Sequence, residues 1–242
     1  MQPKGGGSGD CDDASHPVDD QDAPEEALCQ GQARTGLPLL RASDKISRDD
    51  ILSHAWRLVR SNGGSPGIDG ITFEAIEHGE GVEGLLRDLA RDLQEKTYRA
   101  QPVRRVMIPK ADGSERPLGI PTIRDRVAQM AVKLVIEPIF EADFCDHSYG
   151  FRPKRSAHHA VDDIVDALWS GHTQVIDADL SKYFDSLPPV KLLAVVAERI
   201  VDGGILALLR QWLKAPVIGE DGDGKRRTVG GGKAYNRGTP QG

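Results

Sequence analysis

Cysteine is scarce in this chain and badly spaced. The 242 residues hold three, Cys11, Cys29 and Cys145, too far apart for a metal knuckle and unable all to pair. A disulfide scaffold is thereby disfavoured and a reducing, cytoplasmic setting is expected. Long apolar runs are missing too: nothing approaches the roughly 20 residues that cross a bilayer as a helix. The acidic, glycine-rich N-terminus has no signal-peptide pattern. Net charge is absent from most of the chain. Residues 1–40 carry eight acids against Lys4 and Arg34, which accounts for the whole formal charge of −6 and leaves 41–242 balanced. That first stretch also lacks large apolar side chains, so 1–40 is read as a disordered acidic tail.

The remainder is long enough for one large domain or two small ones with a real core. Within it, 99–126 holds Arg99, Arg104, Arg105, Lys110, Arg116, Arg124 and Arg126 against Asp112, Glu115 and Asp125. A local excess of cations suits a polyanion such as RNA or a triphosphate, although such runs are often solvated faces.

In chain order, Ser47 and Asp50 form a helix-start signal, and Ile51, Leu52, Ala55, Trp56 and Val59 recur at helical spacing up to Asn62-Gly63-Gly64. The following Ser65-Pro66-Gly67-Ile68-Asp69-Gly70 is a tight loop whose backbone can approach a phosphodiester closely, or can merely connect two helices. Val82, Leu85, Leu86, Leu89 and Leu93 mark a second amphipathic helix ending near Thr97. The period then changes. Residues 103–108 and 116–120 read as a β-hairpin with Lys110 and Arg116 flanking its tip, where a point charge and a guanidinium fork can close on an anion. Thr122 caps a long helix bearing Val127, Met130, Ala131, Leu134 and Val135. Ser148-Tyr149-Gly150-Phe151-Arg152-Pro153-Lys154-Arg155-Ser156 is a basic loop with interleaved aromatics, suited to bases and phosphates. Ser156 caps the next helix, whose core stripe is Val161, Ile164, Val165 and Leu168; adjacent His158 and His159 diverge and are not read as ligands.

Residues 175–180 alternate as a strand, with Ile176, Ala178 and Leu180 on one face and Asp177 and Asp179 on the other. Two carboxylates on a half-buried strand call for a cation, and a divalent metal is the usual one. Phe184 stands where strand gives way to turn, as a wall beside whatever the metal holds. A solvated surface strand is the alternative. Pro188-Pro189 opens another helix, Gly203-Gly204 separates it from one over 205–213, and 216–237 reads as a β-ribbon. The last residues are Arg237-Gly238-Thr239-Pro240-Gln241-Gly242.

Taken together, residues 62–242 resemble the reverse transcriptase domain of group II intron-encoded proteins. The likeness rests on five motifs in order: Asn62 to Gly70, Arg104 to Lys110 with Arg116 to Pro121, Tyr149-Gly150-Phe151-Arg152-Pro153, Asp177 to Asp185, and Gly238-Thr239-Pro240-Gln241-Gly242. It implies an α+β fold, reverse-transcriptase-like fingers over 41–170 and an incomplete palm over 171–242, with helices packed on a small antiparallel sheet. It implies RNA-directed DNA polymerase and maturase chemistry on an intron RNA template, a DNA primer and dNTPs, with two Mg2+ ions as cofactors. Asp179 then becomes the metal-binding catalytic carboxylate, the Leu180 carbonyl helps hold the second ion, and Asp177 is auxiliary. Phe184 packs under the nucleotide sugar, Lys110 and Arg116 close on the triphosphate, and Gln241 meets the nascent base pair. Arg104, Arg105 and Arg152 are the candidate RNA contacts.

The family's second acidic pair, in a Tyr-x-Asp-Asp turn, has no counterpart. Asp12-Asp13, Asp19-Asp20, Asp49-Asp50 and Asp162-Asp163 all lack an apolar strand leading into them. A two-metal centre needs carboxylates from two segments, so a fragment inactive alone is expected, with a second chain or a C-terminal part completing the palm. A non-catalytic RNA-binding fragment and the product of a degraded reading frame are the alternatives.

Overall fold

Helix α2 (Asp49–Asn62) buries Leu52, Ala55, Trp56 and Val59, one face of two turns, and anchors the helical core. The computed structural model describes residues 42–79, 81–110, 113–180, 183–220 and 225–231, all within one unit spanning Ala33–Gly242. The expected acidic tail and Gln241 lie outside the described residues.

Before α2 comes α1 (Ala42–Ile46), which the sequence reading did not anticipate. The Ser47 hydroxyl closes that helix by donating to the Asp44 carbonyl at 3.2 Å. Arg48, not Ser47, stands at the N-cap of α2, without a side-chain cap and paired with Asp50 at 2.8 Å. Gly63 ends α2 at φ 63°, the left-handed conformation that glycine takes at least cost. A short α3 (Phe73–His78) is capped by Thr72, whose hydroxyl accepts from Ala75 N at 3.1 Å. It sets Phe73 edge-on to Trp56 with centroids 5.7 Å apart. Helix α4 (Gly81–Gln94) buries Leu89 and Ala90.

Strands β1 (Val103–Pro109) and β2 (Glu115–Ile120) form the expected hairpin, registered from Arg104↔Ile120 to Pro109↔Glu115. Thr122 caps α5 (Ile123–Glu141), accepting from Asp125 N at 3.2 Å. Val127 and Ala131 of its expected face are buried, and Met130, Leu134 and Val135 pack partly against the same core.

Four later helices follow: α6 (Ala157–Trp169), α7 (Tyr183–Ser186), α8 (Pro189–Ala197) and α9 (Gly203–Leu213). Pro189 opens α8 as expected, at a position where its missing N–H is not needed. Helix α9 starts at Gly203, because Asp202 caps Gly204 N at 2.8 Å; its other carboxylate oxygen accepts from Ser43 N at 2.8 Å and ties α9 to α1. Ile205 and Leu208 complete the core with α2, α4 and α5.

The ribbon expected over 216–237 appears as antiparallel β3 (Val217–Glu220) and β4 (Arg226–Gly230). It joins the hairpin through a parallel pairing, Val103↔Val217 and Arg104↔Ile218, giving the order β2-β1-β3-β4. The fold is thus α+β, as expected, around a mixed sheet. A buried polar cluster ties the segment leading into β1 to α5 and α9. Asp125, 1% exposed, accepts from Tyr98 Oη at 2.5 Å and from Gln101 N at 2.9 Å, and Trp212 Nε1 donates to Tyr98 Oη at 2.9 Å. Burial pushes both the Asp125 carboxyl and the Tyr98 hydroxyl upward in pKa.

Two further expectations fail. Residues 175–180 form no strand: the segment is irregular, with Ile176 94% and Leu180 71% exposed. A strand exists through its ladder partner, and the sheet of the described strands does not include this segment. Its apolar alternation consequently has no core to face. The stripe on α6 is present but uncovered, since Val161, Ile164, Val165 and Leu168 are all exposed.

Candidate nucleic-acid interface

A groove of about 790 Å³ opens between the end of α2, the loop after it, the β1–β2 hairpin and α5. Val59, Leu118, Ile120 and Met130 supply an apolar floor, and Asn62, Arg126, Gln129 and Lys133 a polar rim. The loop is held in place by Arg126. Its guanidinium donates to the Gly63 carbonyl at 3.3 Å, to the Ser65 carbonyl, and through Nε to the Pro121 carbonyl at 3.1 Å. Desolvation lowers the Arg126 pKa, Asp69 raises it and Arg104 lowers it further. Gly67 packs so closely that a Cβ there would lie 2.6 Å from Thr122 Cα. The sequence reading allowed a close backbone approach at this loop; the backbone it approaches in this structure is that of Pro121 and Thr122.

Arg126 was missed as an organiser. One signal was available: Arg124 and Arg126 both fall in the first turn of α5, where the helix dipole disfavours cations. Each is compensated otherwise, Arg124 by Asp92 at 2.5 Å.

The hairpin brings Lys110 and Arg116 to one end, as expected. Arg116 lies opposite Ile108, and the turn closes through Lys110 N donating to the Ser114 carbonyl at 2.7 Å. Both side chains are exposed. Arg104 and Arg105 are consecutive on β1, so their Cβ atoms leave opposite faces of the sheet. Arg104 shares the face of Leu118 and Ile120, and Arg105 that of Gly119 and Gly219; Leu118, Gly119 and Ile120 line the groove, and the two arginines flank its lining residues on β1. The Nε atoms of both are buried and meet no hydrogen-bond partner among the described residues.

Arg152 is placed differently from a surface RNA contact. Its side chain is 6% exposed, pairs with Glu141 at 2.7 Å and donates to the Cys145 and Ser148 carbonyls at 2.7 and 2.8 Å. It braces the basic loop from inside.

Residues 108–242 match the reverse transcriptase (RNA-dependent DNA polymerase) family. This chain belongs to that family. Its relatives place it on the group II intron branch. It is 39% identical over 213 residues to protein YkfC of Escherichia coli, covering 85% of this chain and 53% of that protein. It is 34% identical over 173 residues to group II intron-encoded protein LtrA of Lactococcus lactis subsp. cremoris, covering 70% and 28%. Nuclear intron maturase 2, mitochondrial, of Arabidopsis thaliana is 28% identical over 106 residues, covering 43% and 14%. The chain thus spans about half the length of YkfC and under a third of LtrA.

The segment expected to hold a metal is irregular rather than built into the described sheet. Asp179 and Leu180 lie on the irregular, exposed segment, and Phe184 in α7 is exposed beside Tyr183, with ring centroids 5.5 Å apart. Among the described residues no three His, Cys, Asp or Glu side chains converge as a metal site. They do not fit a metal ion by themselves. No helix among them is long and apolar enough to cross a membrane.

Proposed function

We propose that this chain supplies the fingers, 41–170, and the first part of the palm, 171–242, of a group II intron-type RNA-directed DNA polymerase. The observation that carries the reading is the groove of about 790 Å³ between the Arg126-braced loop and the hairpin. An apolar floor suits base faces and sugar edges, and rim cations suit phosphates. Template RNA lies along it with Arg104 toward the strand, while Lys110 and Arg116 at the hairpin end meet the incoming dNTP. Phe184 and Gln241 are proposed for the nucleotide sugar and the nascent base pair. Asp179, with the Leu180 carbonyl, is proposed to enter an Mg2+ centre only when a second acidic segment joins it. Because the described residues do not make that centre, no catalytic step is assigned to this chain alone.

A second reading, RNA binding without catalysis, is favoured by the lack of a convergent acidic site among the described residues. Primer extension on poly(rA)/oligo(dT) with Mg2+ or Mn2+ separates them. The chain alone is expected to give no extension. Adding a polypeptide that bears the family's Tyr-x-Asp-Asp turn restores extension, abolished by Asp179→Ala, under the first reading and never under the second. Asp179-dependent extension by the chain alone overturns the incomplete-palm assignment.

A further inference from the structure

The basic loop between α5 and α6 is built with more internal order than a connection requires. Arg152 ties it to Glu141 and to two of its own carbonyls. Tyr149 Oη donates to Asp163 Oδ2 at 2.6 Å, and His147 Nδ1 lies 2.5 Å from the same oxygen, fixing the loop to α6. Two of its rings already carry a guanidinium: Arg152 lies 5.0 Å from the Phe144 centroid and Arg155 5.5 Å from that of Tyr149. Phe151 is different. Its ring is fully exposed, and its backbone sits at φ 56°, in the left-handed region that costs a bulky residue energy; Lys154, exposed three residues on, sits at φ 60°.

A braced loop that holds a phenyl ring in water, in a strained conformation and beside an exposed cation, is spending stability on presentation. The ring has no hydrogen-bonding group, so it is recognised by packing or stacking alone; the adjacent cation favours a partner with an anionic backbone, and a nucleobase brings such a backbone together with a flat π-face. We propose that Phe151 is a stacking platform for an unpaired base of single-stranded RNA, with Lys154 beside the neighbouring phosphate. This rests on the RNA-binding reading above and adds a contact outside the groove. A duplex, whose bases are already stacked, does not use it.

The test is anisotropy of a labelled single-stranded RNA of about 12 nucleotides titrated with the full chain and with Phe151→Ala, Phe151→Leu, Phe151→Tyr and Phe151→Gly. Ala, Leu and Gly are expected to weaken binding about tenfold or more, and Tyr to retain it. The slope of affinity against salt is expected to stay unchanged, since no charge is removed. Phe151→Gly relieves the left-handed strain, so it melts at or above the wild-type temperature while losing affinity, which no folding defect reproduces. Salt-sensitive RNA binding that is indifferent to all four substitutions overturns the platform alone. Failure of the wild-type chain to bind RNA at low salt overturns both readings.

Discussion

Replacing Gly67 by alanine puts a methyl group where backbone already stands. The added Cβ would lie 2.6 Å from Thr122 Cα, 2.7 Å from Thr122 N and 3.0 Å from the Pro121 carbonyl carbon. None of these atoms is the end of a flexible side chain, so relief requires separating loop 63–70 from the start of α5. Overpacking of this kind costs about 2 kcal/mol. Thr122 also caps α5, and losing its bond to Asp125 N adds about 1 kcal/mol. The expected sum, about 3 kcal/mol, lowers the melting temperature by roughly 6–12 °C for a domain of this size. Gly70→Ala is the control: φ is +70° there and nothing lies within 4 Å of the built Cβ. It incurs only the left-handed penalty of about 1 kcal/mol. Urea unfolding of both variants, with unchanged denaturant slopes, reads the difference. Equal destabilisation by the two would refute the packing argument at Gly67.

Tyr98→Phe removes the hydroxyl that serves both Asp125 and Trp212, and is expected to cost about 3 kcal/mol by urea unfolding, because a buried carboxylate oxygen and an indole N–H lose their partner together. His147 has a raised pKa, first through its hydrogen bond to Asp163, then through that carboxylate's charge. A raised folded pKa means the stabilisation is full below about pH 6.5 and fades as pH rises through the raised value. The stability gap between wild type and His147→Gln is therefore expected to shrink as pH rises above about 6.5, and a gap that does not change contradicts the contact. Arg152→Ala strips Glu141 and two carbonyls of their donor; hydrogen exchange in the loop between α5 and α6 is expected to speed up about 30-fold, equivalent to about 2 kcal/mol of local opening.

Local signals survived the move from sequence to structure where the partner of a segment lies close in the chain, the Ser47 helix-start signal excepted. The hairpin with Lys110 and Arg116, the Thr122 and Ser156 caps and the α2 face were all readable, because each is decided by residues a few positions apart. The larger failures depended on distant partners. Residues 175–180 alternate as a strand should, yet a strand is a property of a ladder, and the described sheet runs β2-β1-β3-β4 without them. Nothing local announced the parallel pairing of β1 with β3 either, since Val103 and Val217 are far apart in sequence. The basic residues were legible as charge but not as roles. Arg152 and Arg126 look like surface cations in the sequence and turn out to brace backbone carbonyls, while Arg104 and Arg105, grouped there as one patch, leave opposite faces of β1.

Single-stranded RNA affinity as a function of salt tests the central assignment most directly. Each phosphate held by a cation contributes about −0.7 to the slope of log affinity against log salt for a single strand. The groove account predicts a slope reflecting several such contacts. It also predicts a loss of about one contact with Arg104→Ala and little change with Arg105→Ala, because Arg104 leaves β1 on the side of Leu118 and Ile120, whose side chains line the groove, and Arg105 on the other. Equal losses for the two variants, or binding that ignores salt, would contradict it.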